Sequence, residues 1–184
     1  MPQQHLSHGA RAVVTGAGSG IGRAFALALA KRGGRVVCAD LNMAAAEDTV
    51  AIIERAGGHG LAVSCDVSEL AAVERLAAEA VDWFGESPNL VINNAGVGAG
   101  GKAIGDMSMA DWKWVLDVNM WGVIHGCHVF TPLLRELPRA GVINVCSTAS
   151  FAAAPRMGAY NTSKAAVLAL SETLAAENAG RVSD

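Results

Sequence analysis

The 184-residue sequence has little of what marks several large protein classes. No apolar run reaches the roughly 18 residues that a membrane span requires, because His125, His128 and Arg135 break up the most apolar segment. The opening Met1-Pro2-Gln3-Gln4-His5-Leu6-Ser7-His8 has neither a basic start nor an apolar core, so no secretion signal is expected and a cytoplasmic location is. Basic residues are in deficit, 14 Lys and Arg against 17 Asp and Glu, and the isoelectric point is near 5.9. That balance argues against nucleic acid or an anionic membrane as the main partner. Cys38, Cys65, Cys127 and Cys146 stand singly in or beside apolar runs, with no C-x-x-C pair, so reduced, buried thiols are expected. Internal repeats, low-complexity tracts and linkers are also missing. A single domain over residues 1–184 is the expectation.

Apolar residues, at 52%, and 21 glycines dominate instead, a composition that excludes disorder and suits tight βα turns. Short β-branched runs alternate with longer helical ones. The pattern predicts strands at Arg11–Thr15, Arg35–Ala39, Leu61–Ser64, Asn89–Asn93 and Gly141–Cys146. It predicts helices at Gly20–Arg32, Met43–Ala56, from Ser68 as a cap through Phe84, from Ser108 to about Leu137, and at Gly158–Asn178. Ser108-Met109-Ala110-Asp111 reads as a capping box. Apolar strands alternating with helices imply a doubly wound parallel sheet covered on both faces, a three-layer α/β/α fold of Rossmann-like type. Ligands of such sheets bind at the carboxyl ends of the strands.

The turn Thr15-Gly16-Ala17-Gly18-Ser19-Gly20-Ile21-Gly22 follows a strand and opens a helix. Glycines there let backbone N–H groups approach a pyrophosphate at a helix N-terminus. Gly16, Ser19, Gly20, Ile21 and Gly22 are the candidate phosphate residues. An ordinary glycine-rich turn is the competing reading. Asp40 ends the second strand, where a carboxylate can accept from both adenosine ribose hydroxyls and repel a 2′-phosphate. Its neighbours Leu41 and Asn42 are neutral, so NAD is favoured over NADP. Asp40 could equally cap a turn. Asp66, ending the third strand, could meet the adenine amino group or cap the next helix.

Tyr160 and Lys164 stand one helical turn apart, so they share a face. Reducing a ketone by hydride leaves an alkoxide that needs a proton, and oxidising an alcohol needs a base. A phenol of ordinary pKa, about 10, suits neither at neutral pH. A lysine beside it favours the phenolate and can also reach a cofactor ribose. Ser147, thirteen residues before the tyrosine, can donate to the substrate oxygen.

In order, these motifs resemble those of the short-chain dehydrogenase/reductase family, single-domain type. Thr15–Gly22 is similar to its TGxxxGIG turn, Asn93-Asn94-Ala95-Gly96 to its NNAG, Asn119 to its mid-helix asparagine, and Ser147, Tyr160 and Lys164 to its Ser…YxxxK. The likeness runs from about Arg11 to Glu177. It implies an NAD-dependent oxidoreductase acting on a small secondary alcohol or ketone. It implies that Val67, Asn93, Ala95, Gly96 and Tyr160 join the cofactor site with Lys164, and that Asn119 supports a water relaying protons to Lys164. A non-catalytic dinucleotide-binding or assembly module is the alternative. A methyltransferase using S-adenosylmethionine would leave Tyr160 and Lys164 without a purpose.

His125, Cys127 and His128 suggest a ligand cluster, but histidines on an apolar helix more often pack, and no metal is expected. Trp112, Trp114 and Trp121 are expected as buried anchors. The helices bearing Asn119 and Tyr160 are apolar on more than one face, which predicts cover by a second subunit, a homo-dimer or tetramer. Members of the family continue past the tyrosine helix. Gly180-Arg181-Val182-Ser183 resembles the start of a further strand, so the fold is expected to be cut short there, with the fifth strand left as an edge.

Overall fold

A computed structural model describes residues 5–178 of the chain. The Gly180–Ser183 strand expectation lies outside those residues. Five strands, β1 (Arg11–Thr15), β2 (Arg35–Asp40), β3 (His59–Ser64), β4 (Leu90–Asn93) and β5 (Gly141–Asn144), form one all-parallel sheet in the order β3-β2-β1-β4-β5. The chain runs outward from β1 to β3, then returns to β4 on the other side of β1. This reversal opens a crevice at the carboxyl ends of β1 and β4.

Helices α1 (Gly20–Lys31) and α2 (Met43–Arg55) cover one face, burying Ala26, Leu29 and Ile53 against Val14, Val36 and Ile92. Helix α3 (Leu70–Phe84) and helix α5 (Gly122–Arg135) cover the other, where Val73, Leu76, Phe130 and Leu134 meet Val13, Val37 and Val91. Each such fully buried aliphatic or aromatic side chain contributes about 1.5–3 kcal/mol. Between β4 and α5 lie α4 (Met109–Leu116) and a wide π-type turn at Asp117–Trp121. Helix α6 (Gly158–Asn178) packs beside α4 and α5, with Val167 against Val123 and Cys127. Cys38, Cys65 and Cys127 are free and buried, and Cys146 is free and half-buried. Burial pushes the Cys38 thiol up to about 12 and Cys65 to about 11.

Several local expectations need correcting. Ser68 does not cap α3, because its N–H and hydroxyl both donate to Asp66 Oδ1. Glu69 takes the cap position without a side-chain bond. At α4 only half of the expected capping box forms: Ser108 accepts from Asp111 N–H, while the Asp111 carboxylate turns to Lys102. The long helix is not continuous, since the π turn interrupts it. β5 stops at Asn144 and is an edge strand among the described residues, with Ile143 43% exposed on the α1/α2 face.

Candidate active site

The crevice is a cleft of about 790 Å³. The glycine turn forms one end of it. Gly20 adopts φ +51° with open space beside it, and at Gly22 a Cβ would lie 2.1 Å from the Gly16 carbonyl oxygen, so no other residue fits there. Ser19 precedes α1 without a side-chain cap, and the first turn carries no acid. The early N–H groups of α1 therefore form a positive end that suits a phosphate. Gly16, Ser19, Gly20 and Ile21 line the cleft.

Asp40 and Asp66 line the same wall. Asp40 accepts from Gly18 N–H through Oδ2 at 2.8 Å and from Asn42 N–H through Oδ1 at 2.9 Å. Its turn-capping role is thus real, and each oxygen keeps a lone pair for a further donor. Asp66 differs: its Oδ1 accepts two bonds from Ser68, which leaves Oδ2 for a further donor. Val67 completes this stretch of wall.

At the centre, Thr15 joins the ends of β1 and β4. Its Oγ1 accepts from Asn94 N–H at 3.0 Å and Ala95 N–H at 3.1 Å, while Asn94 Nδ2 donates to the Thr15 carbonyl at 2.9 Å. Ala95 and Gly96 face the cleft. Asn93 does not: its buried amide donates to Asn144 Oδ1 at 2.8 Å, inside the protein. The cofactor contact that the resemblance implies for Asn93 does not fit this placement, whereas Asn94, its neighbour in the same motif, lines the cleft. Strand alternation sends them to opposite sides.

Tyr160 and Lys164 line the other end. Lys164 is only 5% exposed; its Nζ donates to the Val145 carbonyl at 2.7 Å and lies 5.9 Å from the Tyr160 ring centre. Burial lowers its pKa from the ordinary lysine range, and the nearby Cys146 sulfur opposes that shift. A Cβ at Gly96 would lie 3.3 Å from Asn119 Oδ1 and 3.8 Å from Lys164 Nζ, so all three residues converge. Asn119 is fully buried in the π turn, which rotates it inward. Its Oδ1 accepts from Val97 N–H at 2.7 Å, and its Nδ2 donates to the Val97 carbonyl at 2.8 Å and to Ser163 Oγ at 3.2 Å. The side chain thus latches the β4 loop to α6. Ser147 follows the cleft-lining Cys146, and its Oγ accepts from Ala149 N–H at 3.1 Å. A hydroxyl held as an acceptor keeps its own proton to donate.

This geometry accompanies a match to the short chain dehydrogenase family over residues 10–182. The chain belongs to that family. Among its relatives, EphD of Mycobacterium tuberculosis is 42% identical over 165 residues, covering 89% of this chain and 28% of EphD. A 3beta-hydroxysteroid dehydrogenase of Mediterraneibacter gnavus is 37% identical, covering 91% of this chain and 60% of that protein. A solved short-chain dehydrogenase/reductase of Burkholderia phymatum, in complex with NAD, superposes with a TM-score of 0.90 at 43% identity, covering 95% of this chain and 62% of that one. The chain thus spans less than two thirds of the length of these relatives.

Two other sequence features resolve differently. His125 Nδ1 lies 2.9 Å from the Val67 carbonyl and its ring approaches Trp121, while Cys127 packs near Asn93 and Asn144. No group of three metal-ligating side chains occurs among the described residues. Trp112 does pack, in a small cluster with Met107, Val115 and Ala159. Trp114 and Trp121 are 49% and 46% exposed, not buried anchors, and Trp114 lines the cleft. Helical spacing placed all three on apolar helices, but not which face meets solvent.

Proposed function

We propose that the protein is an NAD-dependent oxidoreductase of CH–OH groups that interconverts a secondary alcohol and a ketone. The observation that carries this reading is the convergence of Tyr160 and Lys164 on the cleft that also holds the glycine turn and Asp40. NAD supplies the hydride acceptor or, when reduced, the donor. The chain's own residues bind it and move the proton. The α1 N-terminus receives the pyrophosphate, and Asp40 accepts from the adenosine ribose. Asp66, Val67, Ala95 and Gly96 flank the rest of the dinucleotide. Ser147 donates to the substrate oxygen, and Tyr160 gives its hydroxyl proton to that oxygen in reduction or takes it in oxidation. The Lys164 ammonium favours the phenolate and reaches toward the nicotinamide ribose. The side-chain amide hydrogens of Asn119 are both engaged, and a water held at Asn119 would relay protons to Lys164. The carboxylate of Asp40, followed by the neutral Leu41 and Asn42, supports NAD over NADP, and the name of the Mediterraneibacter gnavus relative supports a secondary alcohol as substrate.

We further propose a homo-oligomer formed through α4, α5 and α6, supported by the exposed Trp121 and by the small, exposed Ala165, Ala169 and Ala176 of α6, and a cytoplasmic location. Titration with NADH followed by a panel of secondary alcohols tests the reading. Binding and turnover of at least one alcohol support it. Binding without turnover in both this chain and a version extended to the relatives' length favours a dinucleotide-binding module instead.

A further inference from the structure

The segment Ala17-Gly18, at the centre of the glycine turn, has every backbone polar group occupied, and the partners come from outside the turn. Ala17 N–H donates to the Ala39 carbonyl at 3.0 Å, and Gly18 N–H donates to Asp40 Oδ2. The Ala17 carbonyl accepts from Thr49 Oγ1 at 2.8 Å, and the Gly18 carbonyl accepts from Arg23 Nη2. Arg23 Nε also donates to Thr49 Oγ1 at 2.9 Å, and Thr49 Oγ1 lies within 3.1 Å of the Ala45 carbonyl. Thr49 is fully buried on α2, Arg23 is half-buried on α1, and neither lines the cleft.

A carbonyl facing a pyrophosphate would repel it, so the direction of these two carbonyls decides how well the turn grips an anion. Arg23 and Thr49 fasten both on the α2 side. The peptide planes are thereby set, and the N–H groups from Ser19 onward remain for the cleft. The guanidinium adds a positive charge one helical turn from Ser19, and its planar fork presents two donors in one fixed geometry, unlike the point charge of a lysine.

We propose that Arg23 and Thr49 are positioning residues for the diphosphate of the bound dinucleotide, acting as one clamp that ties α2 to the phosphate turn. This rests on the NAD-binding reading above. The clamp makes the diphosphate end of the ligand depend on α2, while the adenosine end depends on Asp40 and Asp66.

The test is a set of titrations with NADH, ADP-ribose and adenosine on the 184-residue chain, alongside thermal melting. Arg23→Met is expected to weaken NADH and ADP-ribose by about tenfold, the size expected for losing a charged hydrogen bond, with adenosine within about twofold. Thr49→Val is expected to weaken the same two ligands by about fivefold, and Thr49→Ser to recover to within about twofold. The Arg23→Met/Thr49→Val double variant is expected to be little worse than Arg23→Met, because the two act through shared bonds. If Arg23→Met does not fold, the Thr49 pair decides. Unchanged NADH binding in the variants, or equal losses for adenosine and ADP-ribose, would overturn the clamp while leaving the NAD reading intact. Wild-type protein that binds no NADH would overturn that reading and the clamp with it.

Discussion

The half of the sheet carrying β1, β2 and β3 and the half carrying β4 and β5 reach the same cleft by different means. In the first half, β1 and β2 are almost wholly buried, and the glycine turn offers main-chain groups that Asp40, Thr49 and Asn94 hold in place. In the second half, β5 is a half-covered edge, and the proposed catalytic groups are side chains, held by other side chains and by loop carbonyls. Asn119 latches the β4 loop to α6, Lys164 bonds the end of β5, and Asn93, Asn144 and Ser171 link β4, β5 and α6. A binding site for a rigid, anionic cofactor can be built from main chain. A site that moves a proton needs side chains at fixed positions, and those positions are set by hydrogen bonds between the elements that carry them.

The sharpest break between the halves is expected from Tyr160→Phe. It removes the proposed proton carrier but leaves the glycine turn and Asp40 untouched, so turnover should fall by about 10²–10⁴-fold, with the NADH dissociation constant within about twofold. Steady-state kinetics and fluorescence titration on the same preparation check this, in this chain or a version extended to its relatives' length. Retained turnover would remove Tyr160 from the mechanism.

Asp40→Ala addresses the first half. It removes both the ribose acceptor and the bond to Gly18 N–H, so NAD binding should weaken by about tenfold. NADP binding should change less, because the lost repulsion offsets part of the loss. Calorimetric titration of both cofactors reads the ratio, and an unchanged ratio would contradict the assignment.

The two halves should also differ in how mutation affects stability. Asn144→Ala leaves the buried Asn93 amide without its acceptor and Ser171 without its donor, a loss of about 1–3 kcal/mol. Asn42→Ala removes only the cap of α2, where Asn42 Oδ1 accepts from Ala45 N–H at 3.2 Å, a loss of about 1 kcal/mol. Denaturant melts of the two variants check the order, and a larger loss at Asn42 would reverse the comparison.

The strands of both halves, and helices α1, α2, α3 and α6, lie within a residue or two of the bounds that their apolar spacing predicts, because that spacing is a local signal. The motif residues were likewise visible as spacing. What spacing could not carry was side-chain direction: Asn93 turns inward while Asn94 holds the turn, and Trp114 and Trp121 reach solvent. The π turn at Asp117–Trp121 was hidden because a single such turn inside a helix is too short to leave a period of its own in the sequence. The Arg23–Thr49 bond joins two helices whose patterns read as ordinary amphipathic faces, and the lone Cys146 beside Lys164 had no motif to mark it.

The most direct measurement is NADH titration of the wild type and Lys164→Ala across neutral to alkaline pH. If one dinucleotide is held by both halves, the wild type binds one NADH per chain and Lys164→Ala binds it several-fold more weakly. Burial lowers the Lys164 pKa, so its ammonium is lost as pH rises, at lower pH than in an exposed lysine. The loss should begin below the range of an exposed lysine, about 10.4. Wild-type affinity should therefore fall on the alkaline side, and Lys164→Ala should lack that fall. Identical affinity and identical pH dependence in the two proteins would contradict the claim that the catalytic half takes part in holding the cofactor.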